Sequence, residues 1–471
     1  MQVRICDLKK SYDYIIIGAG IIGITILREL IKKGKKNILM IESGSMLSSD
    51  PYPSYQNIIS RKLKIKKTSQ FSGVGGGSNV WGSISGIFNK QLINKSFNAK
   101  KFPLNYSDYK YYLEKTLDYG FPRITEFENI KHDNNNIKSK KFVQVTPKVK
   151  FFHFSSILEN ENVDFIQNCY VEEIIKTVQN QKKIKFLTKN KFYFILGKKI
   201  ILCANTIENY KLLKKSNLNL NYEILGKGFM NHPKGVIGTL NKKKVFDRYI
   251  SKISKNRISY NGIQLRKSNY NHYLKINNGF KIPILHYLSK KISGNLKYYD
   301  GNLVSSNNLL KSYFLLFTSK LLNISERIIN KFYKDYVYIE LFSEMKFYHK
   351  NMISYNKDSN QTYLTYELSK KELESISELI DIFEKTFNCN IKFKPKTISY
   401  LKKIISIDAS HHMGGIVCGE SKDQSVLNLK LSLHEEKDII VCGGGCFPFS
   451  GVANPTMSYV ALAIWLTEKH L

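Results

Sequence analysis

The chain has 471 residues, and none of its apolar runs reaches the roughly 20 residues that cross a bilayer. The longest candidates, Tyr313–Leu322 and Tyr459–Leu466, are too short and read as core. Cysteine is sparse: seven residues, scattered and odd in number, which reads as reduced thiols in a cytoplasmic compartment. Among His411, His412, Cys418, Cys442 and Cys446 there is no CxxC or HxxxH spacing, so no metal site is expected. Acidic residues are short by comparison with basic ones, 38 against 73, leaving a formal net charge of +35. Such an excess fits a nucleic-acid binder, a protein on an anionic membrane surface, or an enzyme for acidic substrates. The lysines are spread along the chain in short groups such as Lys32-Lys33 and Lys242–Lys244, among abundant Asn, Ile and Tyr. There is no paired Cys/His finger, no basic region joined to heptads and no RNP-like aromatic strand. Nucleic acid is therefore not an expected partner. The charge reads mainly as solvated surface, with peripheral contact to an anionic membrane left open.

What is present begins at the N-terminal end. Tyr14-Ile15-Ile16-Ile17 is a branched apolar run, as a strand buried on both faces requires. It leads into Gly18-Ala19-Gly20-Ile21-Ile22-Gly23, and Ile22, Ile26, Leu27 and Leu30 then repeat at helical spacing. Asn37–Ile41 reads as the next strand and delivers Glu42 at its end. Each part suits a dinucleotide. Gly18 permits the sharp turn, Gly20 lets backbone approach a pyrophosphate, Gly23 lets helix pack on strand, and Glu42 accepts from a ribose hydroxyl. The helix start offers free N–H groups to the phosphates. The expected contacts here are Gly18, Ala19, Gly20, Ile22, Gly23, Glu42 and Ser43. With the βαβ unit starting near residue 12, no room is expected ahead of it for a signal peptide.

A second glycine cluster, Gly73-Val74-Gly75-Gly76-Gly77-Ser78-Asn79-Val80-Trp81-Gly82, is closed by apolar residues, as few flexible linkers are. It reads as a ligand-contacting loop, with Gly75, Gly76, Ser78, Asn79 and Trp81 as contacts. Further on, Lys183–Leu187 and Phe192–Leu196 read as a hairpin leading to a strand at Ile200–Ala204. Asn205 caps a helix through Tyr210–Lys215. His153 and His232 read as structural. Residues 235–405 are less legible: a sheet with covering helices, including an amphipathic helix over Ser369–Phe387. Near the C-terminal end come Ser410-His411-His412-Met413-Gly414, a strand over Asp438–Cys442, a run of glycines, and Asn454-Pro455-Thr456 at a helix start. Proline suits that first turn, and its free N–H groups favour negative charge.

In this order the segments resemble the glucose–methanol–choline (GMC) family of flavin oxidoreductases. The likeness spans nearly the whole chain: Gly18-x-Gly20-x-x-Gly23 with Glu42, Gly75-Gly76-Gly77-Ser78, Leu202–Glu208, Met230-Asn231-His232-Pro233, His411–Gly414, and Gly451-x-Ala453-Asn454-Pro455-Thr456. The second loop is similar to that of the branch containing pyranose 2-oxidase and bacterial sugar or polyol dehydrogenases. The resemblance implies an α/β fold, α+β overall. A Rossmann-like FAD-binding domain (residues 1–105, 161–235 and 406–471) is interleaved with a cap insertion (106–160) and a substrate domain on an antiparallel sheet with covering helices (236–405). It implies oxidation of a CH–OH group of a small alcohol or carbohydrate, with His411 as base, Asn454 as its partner, hydride transfer to flavin N5, and a separate electron acceptor. It adds Val171, Ala204, Gly444, Asn454, Pro455 and Thr456 as cofactor contacts. Val80 stands where a covalent flavin linkage would need a histidine, so FAD is expected to be non-covalent. Gly415 and Val417 depart from the family's usual Thr and Arg, and Asn205 from a common Gly. His412 remains a rival to His411, which is favoured by its spacing to Gly414. A flavin-bearing lyase, isomerase or structural relative remains the alternative function.

Overall fold

The computed structural model describes residues 5–46, 58–61, 65, 67–97, 99–127, 137–179, 181–244, 249–254, 256–265, 270–293, 297–299, 302–304, 317–318, 321, 324–325 and 328–471. In chain order, the elements that position the site begin with β1 (Ser11–Ile17), α1 (Ile21–Lys32), β2 (Ile38–Ile41), β3 (Ile84–Ser85), α2 (Tyr106–Lys115) and β4 (Ile137–Val145). Then follow β5 (Val163–Ile166), β6 (Tyr170–Lys176), β7 (Lys182–Thr188), β8 (Lys191–Leu202) and α3 (Thr206–Lys215). The second half contributes β9 (Lys234–Asn241), β10 (Arg257–Leu265), β11 (His272–Asn278), β12 (Tyr336–Ser343), α4 (Lys370–Phe387), β13 (Ile439–Val441) and α5 (Thr456–His470).

Two sheets divide the work. The first has the order β5-β2-β1-β8-β7-β6, with β13 also paired to β8. Its centre is parallel, Ile15 opposite Leu39 on one side and Ile200 on the other. Those strands are buried on both faces, so their side chains are apolar without alternation. The expected hairpin forms between β7 and β8, and its second arm runs on without a break into the strand expected after it, making one β8 of 12 residues. Its first half pairs antiparallel with β7 and its second half runs parallel to β1 and β13. The step from Lys198-Lys199 to Ile200-Ile201-Leu202 marks the point where both faces become covered.

α5 lies against this sheet's helical layer, with Val460, Ala461, Ala463 and Leu466 fully buried. Tyr109 of α2 shares a 2.7 Å hydrogen bond with Ser458 of α5. Residues 106–115 thus pack on the dinucleotide side, while β4 crosses to the second sheet. That sheet is antiparallel, ordered β9-β12-β11-β10-β4-β3. α4 forms as its periodicity predicts, and Ser369 and Glu372 close a reciprocal capping box at its start.

One expectation fails. Of the Tyr313–Leu322 run read as core, Phe317 and Leu321 are exposed, and the remainder, apart from Thr318, lies outside the described residues. Among the described residues no helix is long and apolar enough to cross a membrane.

Candidate active site

The first turn is built by close backbone contact. Gly18 has φ +103°, and a Cβ there would stand 2.8 Å from the Cys203 carbonyl oxygen. A Cβ on Gly23 would collide with the Gly18 carbonyl oxygen. The second glycine loop docks on this turn: Gly75 N donates to Ala19 O at 2.9 Å, and a Cβ on Gly76 would lie 2.9 Å from Gly20 Cα. No side chain caps α1, so its first N–H groups are left for a ligand.

Glu42, only 5% exposed, organises both loops. Its Oε2 accepts from Ala19 N at 2.7 Å, and its Oε1 from Gly44 N at 2.8 Å and Gly73 N at 2.9 Å. The carboxylate therefore joins the first turn to the second glycine loop, besides facing the cavity beyond it.

That cavity, about 1170 Å³ with its open mouth included, runs from the α1 turn past Val171 and Ala204 to Gly444 and Tyr459. Of the expected contacts, Gly18, Gly20, Ile22, Glu42, Ser43, Gly76, Val171, Ala204 and Gly444 line it. Others stand behind the wall. Ala19, Gly23 and Gly75 serve turn packing, and Ser78 Oγ donates to Gly75 O while accepting from Phe151 N. Asn79 Nδ2 donates to Val74 O, and Trp81 Nε1 to Val149 O. Neither Asn454, Pro455 nor Thr456 is among the lining residues, although Pro455 and Thr456 start α5, whose Tyr459 is. The sequence reading did not single out Thr206, Glu208, His412 and Tyr459 as lining groups. Among the described residues, the buried Tyr459 hydroxyl and His412 Nε2 have no hydrogen-bond partner. Free N–H groups at one end and unsatisfied polar atoms near the other suit a long, polar-ended dinucleotide.

At the far end two distant segments meet. Met230 and Met413 exchange backbone hydrogen bonds of 2.8 and 2.9 Å, a short antiparallel ladder. It sets Asn231-His232 beside Ser410-His411, where Ser410 turns with φ +63°. Asn231 Oδ1 accepts from the backbone N of both His232 (2.8 Å) and His411 (3.3 Å). The two rings stand with Nδ1 atoms 3.0 Å apart. His232 Nε2 lies 3.1 Å from the carbonyl oxygens of Ser450 and of Gly451. Carbonyls only accept, so His232 carries its proton on Nε2 and presents a bare Nδ1. His411 must then donate from Nδ1, leaving its Nε2 as an acceptor. That nitrogen faces Asn454 Nδ2 at 3.5 Å. The other amide atom, Asn454 Oδ1, is buried without a partner among the described residues.

Electrostatics keep both imidazoles neutral. Burial pulls the His232 pKa down to about 3, outweighing its two carbonyl contacts, with Lys234 and Lys275 adding to the effect. Burial, then His232 and Lys234, hold His411 well below the usual histidine range. His412 points elsewhere: its Nε2 is 3.4 Å from Asp408 Oδ1, and its ring packs 5.6 Å from that of Phe229.

Residues 354–463, which include His411 and Asn454, match the family model described as GMC oxidoreductase. The C-terminal part of the chain is thus similar to GMC oxidoreductases. No curated protein matches the chain by sequence. Solved structures do match its fold. Pyridoxine 4-oxidase from Mesorbium loti superposes with a TM-score of 0.59 at 10% identity, covering 98% of this chain and 99% of its own. Formate oxidase from Aspergillus oryzae RIB40, in a variant studied for FAD modification, gives 0.60 at 11% identity, with 98% of each chain covered. At such identities the likeness is one of fold, and it spans nearly the whole chain.

Proposed function

We propose that the chain binds FAD non-covalently and oxidises a CH–OH group of a small alcohol, sugar or polyol. The observation that carries this reading is the pairing of His411 and Asn454, with His411 Nε2 an acceptor facing the Asn454 amide. The cavity suits FAD in its glycine turns, its uncapped α1 N-terminus and its unsatisfied Tyr459 hydroxyl. Gly18, Gly20 and Gly76 would hold the pyrophosphate side, Glu42 the ribose, and Ala204 with Gly444 the region toward the ring. Val80 offers no nucleophile for a covalent link. When bound, FAD supplies the hydride acceptor.

The residues do the rest. Asn454 Nδ2 hydrogen-bonds the substrate oxygen and fixes its orientation. His411 Nε2 accepts the hydroxyl proton as the C–H bond breaks, a contribution typically worth about 10²–10⁴ in rate. The carbonyl product leaves with two electrons and two protons fewer. His411 is then cationic and still donates from Nδ1 to His232. The first turn of α5 favours negative charge accumulating nearby.

Anaerobic mixing of the purified yellow protein with a panel of alcohols tests the reading. Bleaching by at least one of them in wild type, with His411→Ala retaining its flavin but not bleaching, is the expected outcome. A yellow protein that no alcohol bleaches supports a lyase, isomerase or structural role instead.

A reducing, cytoplasmic location accords with seven free cysteines. Contact with an anionic membrane surface is supported by a separate feature. Phe317, Leu321, Ile324, Ile328 and Phe332 are half exposed or more and fall at helical spacing in a lysine-rich stretch. Co-sedimentation with anionic vesicles at low salt, lost with neutral vesicles, is the expected result; no sedimentation with either contradicts it.

A further inference from the structure

The second sheet has two unlike faces. One carries Ile263, Leu274, Ile276, Ile339 and Leu341, all fully buried. By strand alternation, the other carries Lys140 and Phe142 of β4, Tyr273 and Lys275 of β11, and Glu340 and Phe342 of β12. This second face is the one beside the histidines. Phe342 stacks on His232 with centroids 4.6 Å apart and meets His411 edge-on at 6.0 Å. Lys140 Nζ donates to Val452 O at 2.7 Å, two residues before Asn454.

Lys275 is the anomaly on this face. It is 5% exposed, yet among the described residues it has neither an ion-pair partner nor a hydrogen-bond acceptor. Its ammonium stands 4.3 Å from the Phe142 ring centre and 4.7 Å from that of Phe342. Aromatic faces attract the charge but leave its N–H donors without lone pairs. Glu340, its cross-strand neighbour, acts on it only through the field, and one carboxylate there meets both Lys275 and Lys234. Burial lowers Lys275 to about 8, and burial with Lys138 lowers Lys140 to about 7. A largely buried cation ringed by aromatic side chains, with no acceptor among the described residues, favours an anionic group beside the histidines.

We propose that the alcohol presented to His411 carries an oxyanion, a carboxylate or a phosphate, which binds Lys275, with Lys140 and Lys234 strengthening the local field. This rests on the reading of the site as an FAD-dependent alcohol oxidation centre. An oxyanion accepts several N–H donors at once through charge-assisted bonds. A chain of net charge +35 also draws anions toward its clefts. Specificity would follow, because a neutral alcohol leaves Lys275 buried and unpaired.

The test uses the purified flavoprotein at constant ionic strength, with sodium chloride as the balancing salt. It is titrated separately with acetate and with inorganic phosphate, followed by flavin difference spectrum and by calorimetry. Saturable binding of at least one anion is expected, at least tenfold weaker in Lys275→Met and within threefold of wild type in Lys275→Arg. Saturation by acetate alone identifies a carboxylate substrate, and by phosphate alone a phosphorylated one. If Lys275→Met loses its flavin, Lys234→Gln serves in its place, with binding at least threefold weaker. No saturable binding of either anion, or unchanged affinity in the variant used, overturns the proposal. A yellow protein indifferent to both anions defeats this inference alone. A colourless protein, even after reconstitution, defeats the FAD reading beneath it.

Discussion

His232 Nδ1 lies 3.0 Å from His411 Nδ1, and the Ser450 and Gly451 carbonyls decide which ring donates. The His411 tautomer is thus set by a chain of acceptors rather than by a carboxylate. Replacing His232 by Phe keeps a ring to stack on Phe342 but removes the acceptor. His411 is then free to put its proton on Nε2. We expect kcat to fall about 10–100-fold with flavin content unchanged, within the span ascribed to general-base help. Nitrogen-15 shifts of labelled histidine should report a mixed tautomer at His411. His232→Asn, whose Oδ1 can replace the Nδ1 acceptor, should recover part of the rate. A His232→Phe enzyme with wild-type kcat and an unmixed tautomer refutes the assignment.

Acid should affect rate and stability differently. His411 is held below the ordinary histidine range, so the acid limb of kcat/KM should fall below pH 6.5 rather than on it. A limb at pH 6.5 or above contradicts the burial argument. His232 and His272 are both buried with pKa values near 3 in the fold. Their unfolded values are near 6.5, so the unfolded chain takes up protons first as pH falls. Stability from these groups is complete above pH 6.5 and is lost progressively toward pH 3. At pH 5 the loss is about 2 kcal/mol for each histidine. Denaturant unfolding at pH 7 and pH 5 measures it, and equal midpoints would count against the account.

The turn tolerates no Cβ at Gly23. Gly23→Ala forces either α1 or the Gly18 peptide to shift, because the added carbon meets the Gly18 carbonyl oxygen. Purified Gly23→Ala should carry less than a tenth of the wild-type flavin, read as the ratio of visible to ultraviolet absorbance. Full flavin content would show that the turn gives way more easily than its contacts imply.

Glu42 has a structural duty beyond the cofactor. Truncation to Ala strands the N–H groups of Ala19, Gly44 and Gly73. At about 1–3 kcal/mol for each group left unsatisfied, the loss should exceed 3 kcal/mol even without flavin. Thermal unfolding of the flavin-free protein separates this from lost cofactor binding. An unchanged midpoint in Glu42→Ala would confine Glu42 to the ribose.

What the sequence made legible follows from the range of the forces involved. Local chemistry showed well: the βα turn, the Asn205 cap accepting from Ile207 and Glu208 N–H groups, the amphipathic helix after Ser369 and the start of α5 after Pro455. Long-range pairing did not. His232 read as structural because nothing near it signals that Met230 will pair with Met413. The hairpin's second arm and the strand beyond it read as two pieces because coverage, not propensity, changes within β8. Lys275 was illegible for a similar reason: alternation gives it a face, but only the packed sheet shows what that face meets. Phe317 and Leu321 misled because an apolar run looks the same whether the protein covers it or leaves it bare.

The most direct trial of the whole account is single-turnover mixing under nitrogen of wild type and His411→Ala with a reactive alcohol, following the visible flavin band across pH. The account predicts two equally yellow proteins, with bleaching in wild type at least a hundredfold faster at neutral pH, a span general-base loss allows. Equal bleaching rates, or a variant that has lost its colour, would contradict it.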